Sequence, residues 1–196
     1  MSPDTAAGLT FCYSYSMIRT AIFGGGCFWC TEAVFQMLKG VSKVESGYAG
    51  GSGTPSYEKV SGGNTGHAEV IRVTYDPAVI SYEDLLTVFF GSHDPTTPNR
   101  QGADVGEQYR SVILYESAED KVTAGRVAKE IQGSLTDGSR VVTQIIPLEQ
   151  FFPAEEYHQN YYKTNTSAPY CQLIIEPKIE KVRKRFAELL NDNAKN

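Results

Sequence analysis

Residues 20–38, TAIFGGGCFWCTEAVFQML, run from a strand through a turn into a helix. Thr20-Ala21-Ile22-Phe23 reads as a short buried strand. Thr31–Leu38, apolar at Val34, Phe35 and Leu38, has the spacing of a helix face. Between them Gly24-Gly25-Gly26 delivers Cys27 into the pair Phe28-Trp29 and then Cys30. Cys27 is therefore expected at a strand-to-helix turn, where free N–H groups and the helix dipole favour an anion. That placement predicts a Cys27 thiol with a pKa below the free value of about 8.5. Inert structural thiols would require neither the glycine run nor the two aromatics.

Outward from this segment the patterns alternate. Residues 41–49 read as a strand, 50–64 as a long Gly/Ser/Pro loop, and 67–75 as a strand closed by Asp76-Pro77. Ser81 starts a helix through Phe90, with Asp84 placed for a capping box and Leu85, Leu86, Phe89 and Phe90 as its apolar stripe. A second loop, 93–106, precedes a strand over 109–115, a helix over 118–131 and a strand over 141–147. Residues 153–162 read as a short helix with Pro at its start, and 177–190 as the terminal helix. The order β-α-β-β-α-β predicts an α/β (α+β) ferredoxin-like plait: a mixed or antiparallel sheet with helices and an irregular C-terminal extension. Residues 1–17 are expected to form a mobile extension, and 18–196 a single catalytic domain whose C-terminal segment carries Cys171.

The chain has 196 residues, 41% hydrophobic and 21% charged, as in an ordinary soluble globular protein. A net charge of −5 argues against nucleic acid or an anionic membrane as partner. The basic residues of 178–185 interleave with Glu176, Glu180 and Glu188 and read as a solvated helix face. No stretch approaches the roughly 18 apolar residues of a membrane span. The first residues lack a signal-peptide pattern, so a cytoplasmic location is expected, with organelle targeting by the N-terminal extension left open. Four cysteines, at 12, 27, 30 and 171, are too few and too uneven for a secreted disulfide scaffold.

Strand 67–75 places His67, Glu69, Ile71, Val73 and Tyr75 on one face. A carboxyl sharing an apolar face has its pKa raised and can donate a proton near neutrality. The competing reading is a strand-end Glu paired with a lysine. Tyr57 and Tyr109 fall in loops where a hydroxyl could serve a polar substrate or simply pack. From these residues alone three other chemistries stay open. Cys27 and Cys30 suit a thioredoxin-like dithiol, a zinc site would need two more ligands, and a cysteine hydrolase would need a base such as His67.

Several motifs occur together in one order: Gly-Gly-Gly-Cys-Phe-Trp-Cys, Ser46-Gly47-Tyr48-Ala49-Gly50-Gly51, Gly66-His67-Ala68-Glu69, and Asn99-Arg100-Gln101 with Asp104 and Gln108-Tyr109-Arg110-Ser111. From about Thr20 to Pro169 the chain resembles the A-type peptide methionine sulfoxide reductases. The resemblance implies reduction of methionine S-sulfoxide, free or in proteins, by a monomer that needs no cofactor and no metal and uses thioredoxin as reductant. It implies Cys27 as nucleophile, Phe28 and Trp29 as the pocket for the S-methyl group, and Glu69 as proton donor to the sulfoxide oxygen. Tyr57 and Tyr109 would hydrogen-bond that oxygen, and Asp104 and His158 would hold the substrate backbone. The chain departs from the commonest family pattern at Cys30, where many members carry glycine. Cys171 is the favoured partner for a Cys27 sulfenic acid, because a loop cysteine can move to meet it. Cys30 is the alternative, at Cys-x-x-Cys spacing, and Cys12 is expected to take no part.

Overall fold

The computed structural model describes residues 17–195, so the expectations for the N-terminal extension and Cys12 lie outside the described residues. The strands are β1 (Arg19–Gly25), β2 (Val41–Ala49), β3 (Ala68–Tyr75), β4 (Arg100–Gln101), β5 (Asp104–Val105), β6 (Ser111–Tyr115), β7 (Gln144–Pro147) and β8 (Phe151–Pro153). The helices are α1 (Phe28–Phe35), α2 (Tyr57–Ser61), α3 (Tyr82–Ser92), α4 (Ala118–Ser134), α5 (Tyr161–Thr164) and α6 (Glu176–Arg185). Short 3-10 turns cover Glu107–Tyr109, Glu156–His158 and Ala187–Leu189, and a π-helical turn covers Cys171–Ile175.

Six strands form one sheet in the order β7-β6-β1-β3-β2-β8. Its inner four, β6-β1-β3-β2, pair antiparallel, with β3 between the two strands that α1 connects. This is the split βαβ arrangement the element order predicts. Strand β7 is added parallel to β6, and β8 antiparallel to β2. Alternation along the strands divides the apolar residues between two faces. Phe23, Tyr48, Ile71, Val73 and Ile113 join the core shared with the helices, while Ile22, Val70, Val112 and Leu114 form a smaller cluster behind the sheet.

Tertiary partners shift several predicted boundaries. Helix α1 begins at Phe28 rather than Thr31, with Cys27 as its N-cap. The first long loop contains α2, capped by Ser56, and the second holds the β4–β5 ribbon. The helix expected over 153–162 does not form. Pro153 instead ends β8 opposite Gly47, on the edge strand of the sheet, where proline is tolerated. The Gln159 side chain accepts from Ser46 N at 3.0 Å and donates to the carbonyls of Ser46 and Ala154 at 2.9 and 3.0 Å. Those bonds hold 154–160 as an irregular strap, and Asn160 turns left-handed (φ 54°) before α5. The terminal helix stops at Arg185, because Leu189 and Leu190 turn back to bond Lys39 and bridge Leu38.

Candidate active site

The glycine turn between β1 and α1 is built for close approach. Gly26 has φ +97°, and a Cβ there would lie 2.6 Å from Gln101 Cγ. A Cβ on Gly24 would stand 2.9 Å from the Glu69 carbonyl oxygen. Absence of side chains lets the turn lie against β3 and the β4–β5 ribbon. Cys27 then caps α1, its carbonyl accepting from Cys30 N at 3.1 Å and Thr31 N at 3.3 Å. Phe28 N, the first free donor of the helix, donates to Glu69 Oε2 at 3.0 Å. Glu69 sits opposite Tyr48 in the β2–β3 pairing and is only 2% exposed. Burial, the dominant cause, raises its pKa to about 8, with Asp104 and Cys30 adding to the effect against the Phe28 N–H. Near neutral pH Glu69 is therefore a neutral acid with a proton to give.

The expected lowering of the Cys27 pKa is corrected by this geometry. Burial pushes the thiol well above its ordinary value, its neighbours Cys30 and Glu69 add to the effect, and a hydrogen bond with Tyr170 opposes it. Cys30 is lowered to about 7, first by a hydrogen bond with Cys27 and further by Lys178 and Tyr170. The two sulfurs titrate as a coupled pair, in which the surroundings favour ionisation of Cys30 over that of Cys27.

Aromatic rings wall this pair. Trp29 stacks on Tyr161 at 3.7 Å between centroids and meets the edge of Tyr170 at 5.8 Å. Its indole N–H donates to His158 Nδ1 at 3.1 Å. Phe28 lies 5.0 Å from the His158 ring and 5.8 Å from Tyr48. His158 is 1% exposed and burial lowers its pKa. Its Nδ1 accepts, so the ring is neutral with its proton on Nε2, which faces Glu155 at 3.9 Å. Glu155 also accepts from the Tyr48 hydroxyl at 2.8 Å and from Tyr57 N at 2.9 Å. In this arrangement His158 packs against both Phe28 and Trp29.

Tyr109 joins the cysteine–carboxyl cluster. Burial raises the pKa of its hydroxyl, and the nearby Glu69 and Cys27 raise it further, so it stays a hydrogen-bond donor. The Tyr57 ring packs on His158 at 4.5 Å. Asp104, on β5, accepts from the Tyr170 hydroxyl at 3.1 Å, and that hydroxyl lies 3.9 Å from Cys30 Sγ. Cys171 is wholly buried at the start of the π-helical turn, where burial first, and Cys30 after it, raise the pKa of its thiol.

The rival chemistries find less support. His67 meets the Gly53 carbonyl at 3.0 Å and the edge of Phe152, contacts that turn it to a different part of the structure from Cys27. Among the described residues no three His, Cys, Asp or Glu side chains converge as a metal shell. Sequence reading assigned no role to Tyr170, Tyr48, Glu155 or Tyr161. Tyr170 had one available signal, its place beside Cys171, whereas the others reach the site only through folding.

A family model described as peptide methionine sulfoxide reductase matches residues 19–190. The chain is 52% identical over 172 residues to the peptide methionine sulfoxide reductase MsrA of Sulfolobus acidocaldarius, covering 87% of this chain and 97% of that one. The structure of reduced Mxr1 from Saccharomyces cerevisiae superposes with a TM-score of 0.72 at 36% identity, over 81% of this chain and 92% of that one. Mxr1 in complex with Trx2 matches with a TM-score of 0.52 at 27% identity, over 78% and 91% of the two chains.

Proposed function

Because the chain belongs to the peptide methionine sulfoxide reductase family, we propose that it reduces the S epimer of methionine sulfoxide with Cys27 as nucleophile and Glu69 as acid. One observation carries this reading. A buried, proton-bearing carboxyl is bonded to the first amide of the helix that Cys27 caps, so nucleophile and acid converge from different elements.

A sulfoxide sulfur is a poor electrophile until its oxygen is protonated. Phe28 and Trp29 offer an apolar wall to the S-methyl group, and Glu69 and Tyr109 present O–H donors to the oxygen. Tyr57, beside His158, completes the polar edge, and Asp104, which accepts from the Tyr170 hydroxyl, takes a substrate backbone N–H on its remaining oxygen lone pairs. As attack begins, the hydrogen bond within the cysteine pair lets its proton pass to Cys30 or back, so the charge can reside on Cys27. The substrate sulfur gains two electrons and leaves as the thioether. The Cys27 sulfur loses two, and it keeps the oxygen and the Glu69 proton as a sulfenic acid. Condensation with a neighbouring thiol releases water and leaves a disulfide.

A dithiol of the thioredoxin class then reduces that disulfide, a reading supported by the yeast relative solved with Trx2. Among the described residues no helix is long and apolar enough to cross a membrane. We place the activity in the cytoplasm, where such dithiols are kept reduced, with residues 18–196 acting as one catalytic domain. The test is turnover of separated methionine sulfoxide epimers with dithiothreitol or thioredoxin. The S epimer is consumed and the R epimer is not, and Cys27→Ser abolishes consumption. Retained activity in Cys27→Ser refutes the assignment.

A further inference from the structure

Helix α1 carries a buried carboxyl that the chemistry above does not use. Glu32 is 1% exposed, and its Oε1 accepts from Asn160 N at 3.0 Å. Trp29, Glu32 and Gln36 follow one another at spacings of three and four residues, so they share one face of α1. All three hold the stretch 158–161. Trp29 donates to His158 Nδ1 at 3.1 Å and stacks on Tyr161, the ring centroids 3.7 Å apart and the planes 7° from parallel. Gln36 Nε2 donates to Asn160 Oδ1 at 2.9 Å, beside the bond that Glu32 takes from the Asn160 amide.

That stretch has little to fix its own shape. Asn160 is left-handed, at φ 54°, a conformation that persists in a residue other than glycine where its surroundings hold it. Helix α5, which starts at Tyr161, is four residues long, and its N-cap residue Asn160 makes no side-chain capping bond. A helix that short is not stable by itself. The acceptor that this turn lacks locally comes from Glu32 on α1. A buried carboxyl is costly unless its oxygens are bonded, so the same bond that anchors the turn also satisfies Glu32.

We propose that Glu32 is a positioning residue of the reductase: by holding the left-handed turn at Asn160 it seats Tyr161 on the Trp29 indole and so sets the wall that receives the S-methyl group. The inference rests on the proposed function, in which Trp29 is part of that wall. Glu32 acts through the Asn160 backbone and the Tyr161 ring, while proton donation stays with Glu69 and attack with Cys27. A loosened wall weakens the hold on the methyl group before and during attack alike, which raises KM and leaves kcat nearly unchanged.

The experiment measures kcat and KM for a peptide carrying methionine S-sulfoxide, together with the emission of Trp29, the one tryptophan of the chain. Glu32→Leu is expected to raise KM about five-fold, the scale of one aromatic pair, with kcat within about two-fold and a shifted Trp29 emission. Glu32→Gln keeps an oxygen for the Asn160 amide and restores both readouts. Glu32→Asp, one methylene shorter, withdraws the carboxyl from Asn160 and carries the same expectation where Glu32→Leu does not fold. In a Tyr161→Leu background the stack is already gone, so the Glu32 substitution should add little to KM. KM effects that multiply in that background, or a natural KM and emission in Glu32→Leu or Glu32→Asp, overturn the positioning role, because a carboxyl that only stabilises the fold would move neither readout through Tyr161. No consumption by the natural chain overturns the proposed function, and the role of Glu32 with it.

Discussion

Replacing Glu69 by glutamine should make the protein more stable as it makes the enzyme less active. The folded-state pKa of this carboxyl is about 8, against an ordinary 4.5, and burial is the main cause. A group whose pKa is raised on folding contributes stability below its unfolded pKa and loses it as pH rises toward the folded value. Between pH 4.5 and 8 the native state keeps a proton that the unfolded chain has released, at about 1.4 kcal/mol per pH unit. By pH 7 the accumulated cost is about 3 kcal/mol. Glutamine does not ionise, and its Oε1 can still accept the Phe28 N–H. The stability difference between Glu69→Gln and the natural chain should therefore grow by about 3 kcal/mol from pH 4.5 to 7, or roughly 6–12 °C in melting temperature for a chain of this size. Thermal or urea unfolding of both proteins over pH 4.5–8 reads this directly. The comparison cancels the titration of groups common to both chains. A difference that stays constant across that range would show that Glu69 ionises normally, and would remove the basis for its role as acid. Initial rates of the same variant should fall by about 10²–10⁴.

The pH profile of kcat/KM should be a narrow bell, rising as the Cys27–Cys30 pair loses its first proton near 7 and falling as Glu69 loses its own near 8. In Glu69→Gln the alkaline limb should vanish from the residual rate, and its persistence would assign that limb elsewhere. Gly26→Ala forces a Cβ into Gln101 at φ +97° and should cost at least about 1–2 kcal/mol by urea unfolding; an unchanged midpoint contradicts the geometry of the turn. His158→Leu leaves the Trp29 indole N–H without its acceptor and should raise KM more than it lowers kcat. Because Trp29 is the one tryptophan in the chain, a shift in its fluorescence reports the same loss, and an unaltered spectrum with unaltered KM would refute the orienting role.

Much of the fold is written locally. The period-two alternation of residues 67–75 and the capping box at Ser81 produce their elements where the pattern puts them. The element order alone implies the split βαβ sheet, because short connections and chain chirality leave few ways to pack one helix across three strands. Glu69 was legible for the same reason: its place in the alternation aims it at the core, and burial does the rest. Residues 153–162 were not, because their helical pattern yields to Gln159 bonding Ser46 across the fold.

The sequence by itself determined that Cys27 would stand at a strand-to-helix turn, between glycines that permit close approach and aromatics that wall it. Only the tertiary structure decided which of the two sulfurs its surroundings favour for ionisation. The helix terminus acts on Cys27 from within its own segment. The opposing groups, Glu69 and the burying shell, and the groups that favour charge on Cys30, Tyr170 and Lys178, arrive from distant parts of the chain. A pKa is set by the solvation and charge around a group, and for Cys27 and Cys30 most of that environment exists only after folding.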